Sequence, residues 1–495
     1  MIFLGIDCGT QSTKTIALDW DTGEILASAH QAYGFVPGLP VGAMEQHPQD
    51  WSDAVDVTVS AVLSSLGARR GEVRGIGVSG QQHGLVVLDA QDQVIRSAKL
   101  WCDTSTVAQC EEMTAHFGGA EEVIKLVGNT MRPGYTAPKM LWLRQQEPEN
   151  WKASRSFLLP HDYLNFWLTG VKSMEYGDAS GTALLDVNTR KWSQPVLDFI
   201  GDGLAERLPA LRSSGAVHGE LREELCQKWG LSAGVIVSAG GGDNMMAAIG
   251  TGNIRTGVVT ASLGTSGTLF AFSKTPIIDP QGEVAAFCDS TDHWLPLICT
   301  MNVTLVTEHV RKIFGWDYAQ YEQQVRSVPA GANGLTFLPY LTGERTPDLP
   351  SGTGVLHGLN LNNFSPAGLA RAAMESATLG LGYGLQRLRE LGLTPSEIRL
   401  TGGGSNSTIW RQICADVFGV PTVCLRSGEG ASLGAAIQAG WAAGQEQCLE
   451  AISDRLIAVD EASRAVPNSA DQAVYAECLQ RSGHLMTTLR DADLL

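Results

Sequence analysis

The feature that most constrains this chain is a pattern that occurs twice. GIDCGTQSTK, residues 5–14, combines a short apolar strand, a Gly-Thr turn and a returning strand. VVTASLGTSGTLFAFS, residues 258–273, has the same order, and its Gly264-Thr265 turn aligns with Gly9-Thr10. A single hairpin of this kind is common, because glycine supplies the backbone freedom that tight turns need. Two copies in one chain indicate a duplicated unit.

The elements after each hairpin also follow one order. In the first half, Pro48 begins a helix with an apolar stripe, and the strand and loop VRGIGVSGQQHG come next. In the second half, Ser365 and Pro366 suit the N-cap and first turn of a long helix, and EIRLTGGGSNS follows. Strands that alternate with helices predict an α/β fold, here two duplicated domains with a central cleft. We place these domains at residues 1–250 and 251–445, with a helical appendage at 446–495.

Composition excludes several function classes. The 495 residues carry a net charge of -17, which argues against nucleic acid or an anionic membrane as a partner. The 10 cysteines include no Cys-x-x-Cys pair, so neither a zinc site nor a redox pair is expected. No signal peptide and no apolar run of membrane-spanning length is visible. We therefore expect a soluble cytoplasmic protein.

The two Gly-Thr turns are candidates for phosphate binding. Successive turn amides can form a concave site for anions, and the hydroxyls of Thr10 and Thr265 add donors. The opening segment is not a P-loop, which needs a second glycine before the lysine and a helix after it. The copies differ at Asp7, which aligns with Ser262. Asp7 either caps its own turn or helps hold Mg²⁺, and we favour the metal because a buried unpaired acid is costly.

Three further loops carry polar groups beside glycines. In VIVSAGGGDNMMAAIG, Asp243 begins a helix after three glycines. It is either an N-cap or a general base that a hydroxyl nucleophile can approach closely. The glycines of TGGGSNS leave a flat surface for a purine, and SGQQHG offers Gln82 and His83 to a polyhydroxylated ligand, although each loop could equally be structural. Trp101 and Asp103 offer an aromatic face and an acceptor of the kind that sugars bind.

Together these motifs resemble the FGGY carbohydrate kinases, relatives of actin and hexokinase with ribonuclease H-like domains. GIDCGTQSTK is similar to the first phosphate loop of the family and SLGTSG to the second. GYTAPKMLWLRQQ fits one family signature and GVLHGLNLNNFSPAGLARAAMES resembles another, with Gly368 at a position where the pattern expects a polar residue. PYLTGERTP is also family-like. The similarity covers nearly the whole chain.

The resemblance implies ATP-dependent phosphorylation of a sugar. SGQQHG and GGGDN are most similar to the loops of kinases that act on D-xylulose, with Gln82 where Met is usual and Ser105 where Arg is often found. The implied reaction is therefore phosphorylation of D-xylulose at its terminal hydroxyl. A kinase for another ketose or polyol, such as ribulose, and a catalytically weak nucleotide-binding sensor of the same superfold are the alternatives. The oligomeric state is open, with a homodimer one option.

The resemblance also implies a role for each site residue. Asp243 would be the catalytic base, and Asp7 would help hold Mg²⁺. The sugar would be held by Gln82, His83, Arg132, Asp243 and Asn244. ATP would be bound by residues of both halves of the chain: Thr10, Thr265, Trp316, Gly403, Gly404 and Ser407.

Overall fold

The computed structural model describes residues 1–446 and 448–495. Strands and helices alternate along most of the chain. The strands are β1 (Ile2–Cys8), β2 (Ser12–Asp19), β3 (Ile25–Ala32), β4 (Glu45–Gln46), β5 (Val73–Gly80), β6 (Val86–Leu88), β7 (Ala98–Lys99), β8 (Ser156–Leu158), β9 (Ser173–Glu175), β10 (Leu185–Asp186), β11 (Lys191–Trp192), β12 (Ala210–Arg212), β13 (Val217–Glu220), β14 (Ile236–Ser238), β15 (Gly241–Gly242), β16 (Val258–Leu263), β17 (Gly267–Ala271), β18 (Ala285–Cys288), β19 (Trp294–Thr300), β20 (Thr336–Pro339), β21 (Gly354–His357), β22 (Glu397–Thr401), β23 (Thr422–Leu425) and β24 (Val459–Ala465).

The α-helices include several that open on proline or are capped by a serine, aspartate or asparagine side chain. They are α1 (Pro48–Leu66), α2 (Val107–His116), α3 (Ala120–Val127), α4 (Thr136–Gln146), α5 (Pro148–Ala153), α6 (Pro160–Thr169), α7 (Tyr176–Ser180), α8 (Gln194–Ile200), α9 (Glu223–Trp229), α10 (Asp243–Gly250), α11 (Thr304–Ile313), α12 (Tyr318–Arg326), α13 (Pro366–Glu390), α14 (Thr408–Phe418), α15 (Gly430–Ala442), α16 (Leu449–Leu456) and α17 (Ser469–Asp491). Short 3-10 turns lie at Gly67–Glu72, Ala205–Arg207, Ala332–Gly334 and Gly403–Asn406.

The chain separates into two compact units, and each is assembled from three segments. Unit 1 contains residues 1–254, 272–295 and 429–457. Unit 2 contains residues 255–271, 296–428 and 458–495. Domain boundaries at 250/251 and 445/446 stay a proposal. The segment expected to be a helical appendage contains a strand, β24, between α16 and α17.

The sheet of unit 1 has the strand order β13-β14-β5-β1-β2-β3, with β15 also paired to β5. The first three strands form an antiparallel meander, and β5 then pairs with β1 in parallel. In the meander, Asp7 lies opposite Lys14 on β2 and, across the other edge of β1, opposite Ser79 on β5. The register therefore places one polar side chain on each side of the acid at the end of β1.

The sheet of unit 2 repeats this order. Its strands β19-β17-β16-β22-β23 are paired as β3-β2-β1-β5-β14 are, with antiparallel pairs followed by parallel ones. The helix α13, between β19 and β22, corresponds to α1, between β3 and β5. Ser365 caps α13 by accepting from the amide of Gly368. The duplicated α/β fold expected from the two hairpins is confirmed.

Apolar side chains cover both faces of the unit 1 sheet. On one face, alternate residues of β1 pack with the stripe of α1, where Trp51, Val55 and Val59 are fully buried. On the other face, Phe3 of β1 and Ile16 of β2 pack with α15 and α16. A strand buried on both faces needs a nearly continuous apolar run, which explains the sequence IFLGI.

Helix α15 comes from late in the chain, yet it lies directly on the unit 1 sheet. A Cβ added to Gly5 would lie 1.8 Å from the carbonyl oxygen of Ser432, and one added to Gly77 would lie 1.9 Å from that of Ala435. α15 also packs on α10, where a Cβ on Gly434 would lie 1.8 Å from the carbonyl oxygen of Met246. These contacts join backbone to backbone, so only glycine fits.

Residues 1–446 and 448–495 contain neither a membrane-spanning helix nor a cluster of metal-binding side chains. No helix within these ranges combines the length and hydropathy needed to cross a bilayer. No three or more His, Cys, Asp or Glu side chains within them group as a metal site of their own. The ten cysteines are free thiols, and Cys448 is the exposed one.

Candidate active site

The acid of the first hairpin lies at the end of β1 between two partners. Ser79 Oγ donates to Asp7 Oδ1 at 2.8 Å. Lys14 faces Asp7 across β1 and β2, and its Nζ forms a 2.5 Å ion pair with Glu429, the residue before α15. Burial raises the pKa of Asp7, while the hydrogen bond from Ser79 and the charge of Lys14 lower it. The amide of Gly9 donates to the carbonyl of Ser12 within the turn, so it is not capped by Asp7.

A second acid lies at the start of α10 and is held by its neighbour. Both the backbone amide and the side-chain amide of Asn244 donate to Asp243 Oδ1, at 2.7 and 2.9 Å. Asn244 Nδ2 also donates to Gln82 Oε1 at 2.9 Å. The side chain of Gln82 lies against Gly242, where an added Cβ would meet Gln82 Cγ at 2.7 Å. Three residues expected at the sugar site are thus joined by hydrogen bonds.

The carboxyl of Asp243 is poised to exchange a proton near neutral pH. Burial raises its pKa to about 7, and the charges of Asp7 and Asp178 act in the same direction. The hydrogen bonds from Asn244 oppose this rise. A general base works best when its pKa is close to the operating pH. Asp7 and Asp243 also lie near enough for the charge of one to raise the pKa of the other.

The Gly-Thr turn of the first hairpin is held by side chains from the loops around it. Trp101 Nε1 donates to Thr10 Oγ1 at 2.9 Å, and Gln46 Nε2 donates to the Thr10 carbonyl at 2.7 Å. Tyr33 donates from its hydroxyl to the carbonyl of Gly9 at 2.6 Å. The carbonyls of the turn therefore have partners within the protein, and the Thr10 hydroxyl keeps its proton to donate.

His83 has an unusual backbone conformation beside Gln82. Its φ is 64°, and its carbonyl accepts from Lys139 Nζ at 2.8 Å and from Thr136 Oγ1 at 3.1 Å. Its ring lies edge-on to Tyr135, with centroids 4.9 Å apart. A Cβ on Gly181 would meet the imidazole at 2.3 Å, so that glycine makes room for the ring. Lys139, from the GYTAPKMLWLRQQ signature, thus supports the loop that carries His83.

Two other residues that the sequence offered to the sugar have partners elsewhere. Arg132 donates to the carbonyl of Gly282 at 2.7 Å and to Thr130 Oγ1 at 3.3 Å, so its guanidinium is tied to the 272–295 segment of unit 1. Asp103 is fully buried and pairs with Lys99 at 3.1 Å. A sugar-binding role for Asp103 is therefore not supported, and Arg132 remains a prediction.

The residues near Asp7 fit a magnesium ion that is carried mainly by a nucleotide. Mg²⁺ in such sites is usually held by one or two carboxylates, by phosphate oxygens and by water. Asp7 supplies one carboxylate, and the raised pKa of this half-buried acid indicates that its charge is poorly compensated by the protein alone. A divalent cation beside it would supply that compensation.

In unit 2, the second Gly-Thr turn faces the start of a helix. The carbonyls of Gly264 and Thr265 accept from the backbone amides of Val303, Thr304 and Leu305, at 2.9 to 3.3 Å. The Thr265 side chain is exposed. The turn therefore gives its carbonyls to α11 and leaves the Thr265 hydroxyl accessible.

The Gly-rich loop of unit 2 contains glycines with different physical roles. Gly402 has φ 81°, and a Cβ there would meet the backbone of Leu263 at 2.8 Å. Gly404 is buried against Leu263 and Trp410. A Cβ on Gly403 would meet no described atom within 4 Å, so packing does not explain this glycine. An open backbone here suits the close approach of a flat ligand.

Two further residues expected at ATP have defined surroundings in unit 2. Ser407 is the N-cap of α14 and accepts from the amide of Trp410 at 3.3 Å. Trp316 follows α11 and stacks on Phe314, with ring centroids 4.7 Å apart and planes inclined by 25°. Their contacts with a nucleotide stay predictions.

The sequence analysis missed a buried polar cluster behind Gln82. His161 and Asp178 are fully buried, and their Nδ1 and Oδ2 atoms lie 2.7 Å apart. Asp162 Oδ1 lies 3.0 Å from His161 Nε2, and Glu175 accepts from backbone amides and from Ser214 Oγ. A histidine and an acid inside the apolar run FLLPHDYLNFW were the available signal, because charged groups are buried only when paired.

Two family models match the chain over most of its length. The N-terminal domain of the FGGY family of carbohydrate kinases matches residues 2–250, and its C-terminal domain matches residues 259–443. The first range contains Asp7 and Asp243, and the second contains Thr265 and Gly403. Both halves of the duplicated fold are thus covered.

Individual relatives give the same result. A xylulose kinase from Haemophilus influenzae is 42% identical over 486 residues, which cover 97% of this chain and 98% of the relative. A xylulose kinase from Bacillus subtilis is 34% identical, with 99% of this chain and 97% of the relative covered. The crystal structure of ligand-bound xylulose kinase from Lactobacillus acidophilus has a TM-score of 0.93 at 26% identity, covering 99% of this chain and 98% of that one. The similarity confirms the expected fold class.

Proposed function

The chain belongs to the FGGY family of carbohydrate kinases, and from this premise we propose that it phosphorylates D-xylulose. The phosphoryl group of ATP would be transferred to the terminal hydroxyl, giving D-xylulose 5-phosphate. Several full-length relatives carry the name xylulose kinase, which supports the choice of sugar. Phosphoryl transfer needs positioning and charge compensation more than covalent chemistry by the protein.

One observation carries the proposal: the half-buried Asp243 carboxyl, whose pKa is about 7, is fixed by Asn244 and linked through it to Gln82. We infer that Asp243 accepts the proton of the terminal hydroxyl as its oxygen attacks the γ-phosphorus. A P–O bond forms to the sugar, the bond to the β-phosphate oxygen breaks, and ADP leaves. Asn244, Gln82 and His83 would hold the remaining hydroxyls of the sugar, and Arg132 would assist them.

Each unit offers groups that suit a nucleotide, and we propose a role for each group. Thr10 and Thr265 would donate to phosphates, Gly403 and Gly404 would lie under the adenosine, and Ser407 and Trp316 would line it. Asp7 would help hold Mg²⁺, which when bound neutralises phosphate charge. Lys14, held by Glu429, lies on the return strand beside Asp7 and receives no catalytic role here.

A panel of sugars tests the proposal. ADP release by the purified protein would be measured with Mg²⁺, ATP and one of D-xylulose, D-ribulose, L-ribulose, glycerol or gluconate. We expect D-xylulose to give the highest kcat/KM. A higher kcat/KM for another sugar would assign that sugar instead. ATP turnover that no sugar stimulates would favour the nucleotide-binding sensor. A cytoplasmic location and a homodimer stay predictions from the sequence.

A further inference from the structure

The buried cluster behind Gln82 is built around one histidine that contacts two acids. His161, on α6, lies between Asp178 Oδ2 at 2.7 Å and Asp162 Oδ1 at 3.0 Å, and all three side chains are at most 1% exposed. Backbone packs closely on His161, because a Cβ on Gly80 would lie 2.8 Å from its amide nitrogen and one on Gly240 would lie 3.0 Å from its ring atom Cδ2. These glycines belong to the strand ends that carry Gln82 and Asp243.

The cluster reaches the candidate active site through Gln82. Within residues 1–446 and 448–495, Gln82 Nε2 is a buried donor and Asp178 Oδ1 a buried acceptor, and neither has a hydrogen-bond partner. The side chain of Gln82 lowers the pKa of Asp178, as expected of a donor near a carboxylate, so a small adjustment would pair these two unpartnered atoms. The other end of the same amide, Gln82 Oε1, accepts from Asn244 Nδ2 at 2.9 Å.

The side-chain amide of Gln82 has one acceptor atom and one donor group, so one of its neighbours must donate and the other must accept. An ionised Asp178 accepts hydrogen bonds only, and it therefore requires the NH₂ group of Gln82 on its side. Gln82 Oε1 is then turned toward Asn244, whose side chain also donates to Asp243. A rotated Gln82 would set oxygen against oxygen at Asp178 and donor against donor at Asn244.

We propose that His161 and Asp178 are positioning residues which fix the orientation of Gln82 and, through Asn244, that of the Asp243 carboxylate. The inference rests on the proposed function, because it explains how the sugar and base groups are held in register. The ionic partners of His161 are Asp178 and Asp162, so it acts on Gln82 and Asp243 indirectly. It acts by keeping Asp178 ionised, and Asp178 acts by orienting the amide.

The charges around His161 agree with this role. Burial alone would lower the pKa of His161, but Asp162 and Asp178 raise it well above its usual range, so the imidazole carries a proton. Burial raises the pKa of Asp178, and the hydrogen bond and charge of His161 lower it. Glu175 and His218 are the other titratable groups nearby whose pKa His161 affects. Loss of the imidazolium would therefore favour a protonated Asp178, which can donate and no longer specifies the orientation of Gln82.

The first test compares a neutral with a charged replacement. His161→Gln should lower kcat by about tenfold or more, which is the size of effect that supporting residues have at other sites, while KM for ATP stays the same. His161→Lys keeps the positive charge and should recover most of that loss. His218→Gln is the matched control, since His218 is also buried but bonds Ser173 and the Val171 carbonyl instead. It should affect thermal stability and leave kcat within about twofold.

The second test asks whether His161 acts through Gln82, and it holds even if His161→Lys folds poorly. In a Gln82→Met background, His161→Gln should cause no further fall in kcat, because no amide remains to be oriented. A full additional loss in that background would overturn the inference, as would an unchanged kcat in His161→Gln alone. Both results presuppose sugar-stimulated turnover by the unmodified enzyme. Its absence in the sugar panel would instead remove the proposed function.

Discussion

Asp7 and Asp243 are both half-buried carboxyls of the same unit, and their different partners suit them to different tasks. Asp7 accepts a hydrogen bond from Ser79 and lies opposite Lys14. These protein groups hold its carboxylate in place without a substrate. Asp243 is bonded through one oxygen to Asn244, and its pKa is raised to about 7. Paired acids whose surroundings separate their properties commonly divide the work of a site. We therefore propose that Asp7 helps hold the metal and that Asp243 accepts the proton.

Asp243→Ala should remove turnover without removing nucleotide binding. Loss of a general base typically lowers the rate by about 10²- to 10⁴-fold. ATP affinity, measured by calorimetry, should stay within about twofold, because no residue proposed for the nucleotide is altered. Asp202→Ala, at an exposed acid of the same unit, is the control and should behave as the unmodified enzyme. Near-normal turnover in Asp243→Ala would take the base role away from Asp243.

The pH dependence of kcat/KM should have an acidic limb governed by Asp243. Only the ionised carboxylate can accept a proton, and the pKa of this group is raised to about 7. Below that pH the rate should therefore fall by about tenfold per pH unit. Steady-state rates from about pH 5 to 8.5 would measure the limb. A flat profile down to pH 5 would mean that a less perturbed group performs the step.

Asp7→Asn should weaken the dependence on Mg²⁺. The substitution keeps the shape of the side chain but removes its charge. The Mg²⁺ concentration that gives half-maximal activity should therefore rise by about tenfold or more. Ser79→Ala is a useful companion, because it removes the hydrogen bond to Asp7 and leaves the carboxylate. Its Mg²⁺ titration should shift less. Identical titrations for Asp7→Asn and the unmodified enzyme would contradict a metal role.

At the scale of elements, what could be predicted from the sequence depended on periodicity and turn chemistry. The hairpins, α1 and α13 were all predicted, because alternating or stripe patterns and Gly, Ser and Pro signals mark their bounds. The placement of α15 was not, since GASLGAAIQAGWA packs through glycine and backbone and has no apolar stripe to read. The His161 cluster was missed for a related reason. Its His161–Asp178 pair joins α6 and α7, which only the folded backbone brings together.

Because α10 and α15 pack backbone to backbone, a Gly→Ala change should have opposite effects on stability at two positions. Gly434→Ala should lower Tm markedly, because the new Cβ would lie 1.8 Å from the Met246 carbonyl and both backbones would have to move. Overpacking of this kind typically costs about 1–3 kcal/mol, and occasionally more. Gly483→Ala, in the interior of α17, is the control. A Cβ there meets no described atom within 4 Å, so better helix propensity should stabilise by about 0.5–1 kcal/mol. Equal effects at both positions would contradict the packing described for α15.

At the scale of the whole molecule, unit 1 depends on a segment from the last seventh of the chain. Residues 429–457 contribute α15, which covers β1 and β5, and Glu429, which pairs with Lys14 near Asp7. Gln438 of α15 also accepts from Ser238 Oγ and from the amide of Gly240, at 2.8 Å each. The strand ends that position Asp243 are therefore supported by residues translated long after them.

A chain that ends at residue 428 should not form a stable unit 1. It would expose the apolar and glycine-lined faces of β1, β5 and α10 that α15 covers, and Gln438 would no longer bond the backbone before Asp243. Hydrogen exchange in β1 and β5 would measure the effect, and we expect their protection to be lost. A chain that ends at residue 457 is the matched control, because it keeps α15 and α16 and removes only β24 and α17 of unit 2. Its β1 and β5 amides should stay protected. Protected amides in the shorter chain would show that unit 1 folds without α15. The role of residues 429–457 would then be limited to supporting the backbone near Asp243.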